Sequence, residues 1–291
     1  MTAMSAPELF DYDLIRARQN RARLDGQSDD VLLPRVSEEM AERLAGVLRD
    51  FDNALDLGTP EPGLSGPLSA LPRVNNIRRA DRDLLNRDYV LPFAEGSLDL
   101  VASALALHWV EDLPGLLLQI RRALKPDGLF TAAVPGGDTL IELREAFSEA
   151  EADTAGGVSP RVIPFAGVRD LGSLLQRAGF ALPVVDSEKI TVRYGDIFGL
   201  FRDLRALGAT NPLLARSKTP LRRETLARLA EIYQERFSDP DGRLRVTVEI
   251  VWMSGWVPHE SQQKPLRPGS ARHRLADALG TVEIPSGVKP S

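Results

Sequence analysis

Short apolar runs that end in glycine or a small residue, separated by amphipathic helical segments, constrain this 291-residue chain more than any other feature. Residues 53–58 (NALDLG), 98–103 (LDLVAS) and 129–134 (LFTAAV) read as buried strands. Between the last two, residues 113–124 (LPGLLLQIRRAL) put Leu116, Leu117, Ile120, Ala123 and Leu124 on one helical face. Strands that are apolar on both faces and alternate with helices predict an α/β fold, a mostly parallel sheet with helices on both sides.

The rest of the chain fills this outline. Helices are expected over 10–24, with Leu14, Ala17 and Arg21 on one side, and over 36–48, with Ser37 as N-cap. Further helices are expected over 139–152, 168–178 before Gly179, 194–207 and 221–237, and further strands over 73–77, 184–192 and 245–252. Lys125 to Gly128 reads as a turn, with Pro126 presetting φ and Gly128 free to take a positive φ. Residues 59–72 contain Pro60, Pro62, Pro67 and Pro72, which argue against a long helix starting at Gly58. The predicted organisation is N-terminal helices over 1–50, a sheet domain over 51–263 with helical inserts around 139–180 and 194–237, and a flexible tail over 264–291.

Composition excludes several classes of function. A net charge of −5 argues against a nucleic-acid binder. The chain has no cysteine, hence no thiolate metal site and no cysteine nucleophile. Its three histidines, at 108, 259 and 273, form no triad with carboxylates at ligand spacing, so no metal site is expected. No run is apolar enough to span a bilayer, and residues 1–9 carry no basic segment followed by an apolar core. A soluble, cytoplasmic protein without signal or transit peptide is expected, able to touch a membrane-bound partner peripherally.

Ligands of a doubly wound sheet bind outside the carboxyl ends of its strands. The candidate residues are therefore Asp56 and Gly58 after the first strand, Ser103, Leu105 and His108 after the 98–103 strand, and Gly136, Gly137, Asp138 and Thr139 after the 129–134 strand. Each has a bland alternative: a turn, a packed core residue, or the capped start of a helix. Asp81 and Asp88 lie among Arg78, Arg79, Arg82 and Arg87, where a solvated charged stretch is the simpler reading. The Arg16, Arg18, Arg21 and Arg23 set is read in the same way, as a solvated helix face.

Residues 54–58 (ALDLG), 91–101 (LPFAEGSLDLV), 103–110 (SALALHWV) and 120–128 (IRRALKPDG) resemble successive motifs of class I S-adenosylmethionine-dependent methyltransferases. Residues 10–14 (FDYDL), 136–140 (GGDTL), 142–144 (ELR), 157–160 (GVSP), 164–165 (PF), 255–256 (GW) and 259–262 (HESQ) narrow this resemblance. The chain is similar, from about residue 10 to 271, to the mitochondrial complex I assembly factor 5 family and its bacterial relatives, which neighbour the malonyl-carrier-protein methyltransferases of biotin synthesis.

The resemblance implies a Rossmann-like fold and an S-adenosylmethionine site formed by Asp56, Gly58, Asp81, Asp88, Ser103, Leu105 and His108. It further implies an acceptor mouth at Gly136, Gly137, Asp138 and Thr139, and a protein substrate, such as a complex I subunit, that is methylated or hydroxylated on arginine. The chain departs from the family at two places. The Gly-rich loop has Pro60 and Pro62 at its second and third glycine positions and Glu61 between them, which predicts a loop that holds the cofactor poorly. Asp81 and Asp88 stand closer together than a complete strand–helix unit allows. A non-catalytic assembly factor and a carrier-protein methyltransferase are the competing readings.

Overall fold

The computed structural model describes residues 8–25, 31–81, 90–262 and Gly280. Two compact units, Met1–Pro258 and His259–Ser291, divide the chain. Asp88 and most of the predicted tail lie outside the described residues.

The first unit carries one six-stranded sheet of order β2-β1-β3-β4-β6-β5. Its strands are β1 (Ala54–Leu57), β2 (Ile77–Ala80), β3 (Leu98–Ala104), β4 (Leu124–Pro135), β5 (Ala181–Tyr194) and β6 (Leu244–Trp256). β2, β1, β3 and β4 are parallel; β6 runs antiparallel between β4 and β5. The chain leaves β1 outward to β2 and returns past it to β3, so the winding reverses between β1 and β3. That is the topological switch point of a Rossmann-like sheet, where ligands bind. The widespread order 3-2-1-4-5-6 has one more strand beyond the second; between β2 and β3 the described residues hold none.

β1 and β3 are buried along almost their whole length, as their unbroken apolar runs require of central parallel strands. On one face α4 (Leu113–Ala123) and α6 (Val168–Arg177) pack Leu116, Leu117, Ile120, Leu171 and Leu175 against Leu55, Val101 and Phe130. Burying each such side chain contributes about 1.5–3 kcal/mol. Asp112 caps α4 by accepting the Gly115 amide at 2.9 Å, and Arg121 and Arg122 sit in its last turn. On the other face α2 (Leu32–Ala45) and the short α3 (Ser65–Ser69) cover Leu100, Ala102 and Ala133. α5 (Ile141–Ala155), α7 (Ile197–Ala206) and α8 (Arg223–Phe237) form a third core with Val246 and the buried Tyr233. α1 (Tyr12–Asp25) completes the helices.

Several expectations are corrected. α2 begins at Leu32, because Leu33, Val36, Met40 and Leu44 form one buried stripe and Pro34 is tolerated in a first turn. Ser37 is therefore a buried mid-helix residue and not the cap. α1 turns Ile15 inward, with Arg18, Gln19 and Ala22 half-buried beside it, so Leu14, Ala17 and Arg21 are not its packed face. Arg18 is no solvated charge: its Nη1 donates to the carbonyls of Thr210 at 2.9 Å and Asn211 at 2.7 Å.

The strand expected at 73–77 starts later. Val74 forms a lone bridge with Phe51, Asn76 takes φ 32°, and the ladder with β1 begins at Ile77. The Lys125–Gly128 turn is a bulge inside β4, and its left-handed residue is Asp127 at φ 63°. Glycine is needed at 128 for space, since a Cβ there would stand 2.8 Å from the Lys125 carbonyl oxygen.

Candidate functional site

The carboxyl ends of β1, β3 and β4 share one edge of the sheet, and the candidate residues of the described chain gather there. After β1 the chain turns at Gly58, whose φ is 71° and whose amide donates to the Ala80 carbonyl at 2.8 Å. Pro60 closes a turn with the Gly63 amide at 2.7 Å, and Pro62 is exposed. Gly63, at φ 82°, brings the backbone down onto Asp56; a Cβ there would lie 2.8 Å from Asp56 Oδ2.

Asp56 is fully buried, and its Oδ2 accepts the Leu64 amide at 2.8 Å. Burial pushes its carboxyl above the usual range, against the pull of the Leu64 amide, the Thr59 hydroxyl and the Arg79 guanidinium. The Thr59 hydroxyl accepts the Ala104 amide at 3.0 Å and so ties the loop to the end of β3.

Arg79 was expected among solvated charges and is instead part of this loop. Along β2 it shares a face with the half-buried Ile77, while Arg78 points outward. Its Nη2 donates to the Thr59 carbonyl at 2.9 Å, and its Nη1 pairs with Glu61 Oε2 at 2.6 Å. The period of two along Ile77-Arg78-Arg79-Ala80 was the signal for it. Asp81 stands exposed one residue beyond β2.

At the end of β3 the Ser103 hydroxyl is buried and donates to the Leu57 carbonyl at 2.7 Å, joining β1 to β3. Leu105 takes φ 52°, an uncommon conformation for a bulky side chain and one that clusters at functional sites. His108 follows in the 3-10 turn Leu107–Trp109, half-buried, with its ring 4.5 Å from that of Trp109 and 6.2 Å from that of Phe165.

The turn after β4 is anchored from β6. Gly136 donates its amide to the Glu249 carbonyl at 2.8 Å, and a Cβ on it would stand 2.5 Å from Glu249 Oε2. That same oxygen accepts the Asp138 amide at 2.9 Å. The buried Thr139 hydroxyl donates to the Glu249 carbonyl at 3.0 Å and accepts its amide at 3.1 Å. Asp138 pairs with Lys189 at the surface. Leu140, at φ 57°, then starts α5. Gly137 lies open near Phe165: a Cβ there would come no closer than 4.0 Å to the Phe165 carbonyl oxygen. Sequence reasoning missed Glu249, because it sits in a strand whose other residues read simply as core.

An aromatic cluster roofs this edge. Phe10, Ile15, Trp109, Ile163 and Leu213 are buried together, with Tyr12 and Phe165 packed against them. Glu111 accepts the amides of Leu9 at 2.8 Å and Phe10 at 2.6 Å, and the Tyr12 hydroxyl donates to the Trp109 carbonyl at 3.1 Å. Burial pushes the Tyr12 phenol up to about 12, so it remains a donor at neutral pH. Asp11 pairs with Arg216 at 3.0 Å. Four separated segments, near residues 10, 109, 163 and 213, thus meet in one cluster. The groove lined by Arg43, Leu129, Val184, Trp252 and Trp256 lies at the opposite end of β4 and takes no part in this site.

Comparison with known proteins gives the chain's relatives. A family model described as a methyltransferase domain matches residues 71–132. The chain is 37% identical over 286 residues to the mitochondrial arginine-hydroxylase NDUFAF5 of Danio rerio, covering 92% of this chain and 89% of that protein. It is 32% identical to the malonyl-[acyl-carrier protein] O-methyltransferase of Laribacter hongkongensis, covering 89% of this chain and 94% of the other. Among solved structures, a putative methyltransferase from Bacillus halodurans matches 76% of this chain at 14% identity with a TM-score of 0.49.

Proposed function

Because the chain belongs to the family of the NDUFAF5 arginine-hydroxylases, we propose that it uses S-adenosylmethionine on a methyltransferase fold to modify an arginine of a protein partner in respiratory complex I assembly. The observation that carries this reading is the shared edge: the β1 loop, the β3 end and the Gly136–Thr139 turn open on one side of the switch point. Two features of the β1 loop support the reading: Gly63 keeps the backbone clear of side chain over Asp56, and Arg79 adds a cation beside it.

Asp56, Gly58, Asp81 and Leu105 would hold the cofactor, with Ser103 fixing the β1–β3 spacing. Asp88, which would add a contact to the adenine, lies outside the described residues. When bound, the cofactor would supply an activated methyl group for methylation; hydroxylation would take its oxygen from dioxygen, with an external reductant consuming the second oxygen atom. The chain supplies orientation and a water-poor mouth.

An arginine acceptor suits the mouth. A guanidinium lies flat on aromatic rings, and the half-buried rings of His108 and Phe165 stand 6.2 Å apart, with the Phe165 carbonyl near the open Gly137. The helical segments 139–180 and 194–237, with the N-terminal helices of 1–50, would frame the partner around the 51–263 body. A cytoplasmic location with peripheral contact to a membrane-bound complex fits; no helix among the described residues is long and apolar enough to cross a membrane.

The test is a gene deletion followed by mass spectrometry of complex I subunits, alongside titration of the purified chain with S-adenosylhomocysteine. Binding on the order of micromolar, with loss of one added oxygen or one added methylene on a subunit arginine, is the expected result. A partner subunit that co-purifies with a chain unable to bind S-adenosylhomocysteine would point to a non-catalytic assembly factor. Methylation of a malonyl-carrier protein by the pure chain would favour the second reading, which the Laribacter hongkongensis relative supports.

A further inference from the structure

The β1 loop has few backbone donors left to meet an anion. Pro60 and Pro62 have no amide hydrogen. The Gly58 amide is bonded to Ala80, Gly63 to Pro60 and Leu64 to Asp56. Loops that cradle anions do so with converging backbone N–H groups, so here a side chain must supply the charge. Arg79 is placed for it. Its guanidinium carbon lies 3.3 Å from where a Gly63 Cβ would stand, above the buried Asp56. One carboxylate already occupies it: Glu61, reaching across from the tip of the loop at 2.6 Å. Its Nη2 is held by the Thr59 carbonyl, so Nη1 is the nitrogen at which an incoming carboxylate would meet Glu61.

We propose that Arg79 and Glu61 form a latch over the β1 loop, and that the amino-acid carboxylate of an adenosyl ligand binds by taking the place of Glu61 on Arg79. The proposal rests on reading this loop as the cofactor site. The exchange swaps one carboxylate for another on the same cation. Glu61 is 55% exposed in its side chain, and an ion pair with one solvated partner is held weakly. A ligand carboxylate arriving at Nη1 replaces the Glu61 bond one for one, and the contacts of the adenosyl group decide the exchange. Glu61 is thus a built-in competitor, and the open loop is the binding-competent state.

The experiment is calorimetric titration of the full chain and its Glu61→Gln and Arg79→Lys variants. Two probes are used: S-adenosylhomocysteine, and 5′-methylthioadenosine, which lacks the carboxylate. If the latch is closed about nine-tenths of the time, Glu61→Gln tightens S-adenosylhomocysteine about tenfold. Arg79→Lys weakens it, and 5′-methylthioadenosine is unchanged throughout. Thermal melts without ligand identify a variant that has lost its fold; Glu61→Gln, at an exposed position, keeps the test decisive if Arg79→Lys unfolds. Unchanged or weaker S-adenosylhomocysteine binding in Glu61→Gln overturns the latch while leaving the cofactor reading in place. An equal gain for both probes overturns it too, because the carboxylate would then not be the group exchanged. Failure of both probes on every variant overturns the cofactor reading and the latch together.

Discussion

The turns after β1 and β4 solve the same problem with the same parts. In each, a buried carboxylate accepts a backbone amide of the turn, and a glycine stands where a side chain would strike that carboxylate. After β1 the pair is Asp56 and Gly63, with 2.8 Å to the position of a Cβ; after β4 it is Glu249 and Gly136, with 2.5 Å. They differ in where the anchor comes from. Asp56 lies 8 residues from the amide it receives, whereas Glu249 lies 111 residues from its own. The carboxylate that receives the β1 loop belongs to the same short segment, and Arg79, Ala80 and Ala104 of the flanking strands add single bonds. The β4 turn is held by a strand from the antiparallel side of the sheet. Opening the tip of the β1 loop breaks bonds within a short segment, whereas opening the β4 turn breaks bonds to a strand 111 residues away. The comparison predicts that the β1 loop opens more readily than the β4 turn.

Gly136→Ala is the strongest way to break this comparison. The added methyl meets Glu249 Oε2 at 2.5 Å and Val251 Cγ2 at 2.6 Å, both on β6, so the central ladder has to shift. A loss of about 3 kcal/mol in urea unfolding is expected; a near-neutral result would show that the β4 turn is not rigidly framed. Gly63→Ala comes next. It forces alanine to φ 82° against the Asp56 carboxylate, at an expected cost of about 2 kcal/mol. Native-state hydrogen exchange should confine that loosening to residues 58–64, and protection lost across β1 and β3 as well would refute local anchoring.

The smallest effect comes from neutralising the two carboxylates, Asp56→Asn and Glu249→Gln. Burial raises the Asp56 carboxyl above 3.8, so its ionised form costs the folded state stability at neutral pH. That cost disappears as pH falls through the raised folded value towards 3.8, where the unfolded chain is protonated as well. Asp56→Asn should therefore be level with or slightly above the parent in stability at pH 7, by under about 1 kcal/mol, with the difference fading below pH 3.8. Glu249→Gln trades its charged bond to the Asp138 amide for a neutral one and should lose about 1 kcal/mol. Denaturation curves of both variants across pH check the sign; a larger loss in Asp56→Asn would reverse the assigned order of rigidity.

The sequence by itself determined the strand–helix alternation, the buried faces of β1, β3 and α4, and the edge at which Asp56, Ser103 and Gly136 emerge. All of these are readable because burial imposes a period of 2 or 3.6 within a single element. It also marked the β1 loop, since glycines and prolines act on the φ of their own residues. Tertiary structure decided that Glu249 anchors the β4 turn, that the inward-facing Arg79 bonds to the β1 loop and that residues 10, 109, 163 and 213 share one roof. Such partners lie about 20 to more than a hundred residues apart, and no local pattern records a contact whose energy exists only once the sheet has closed around it.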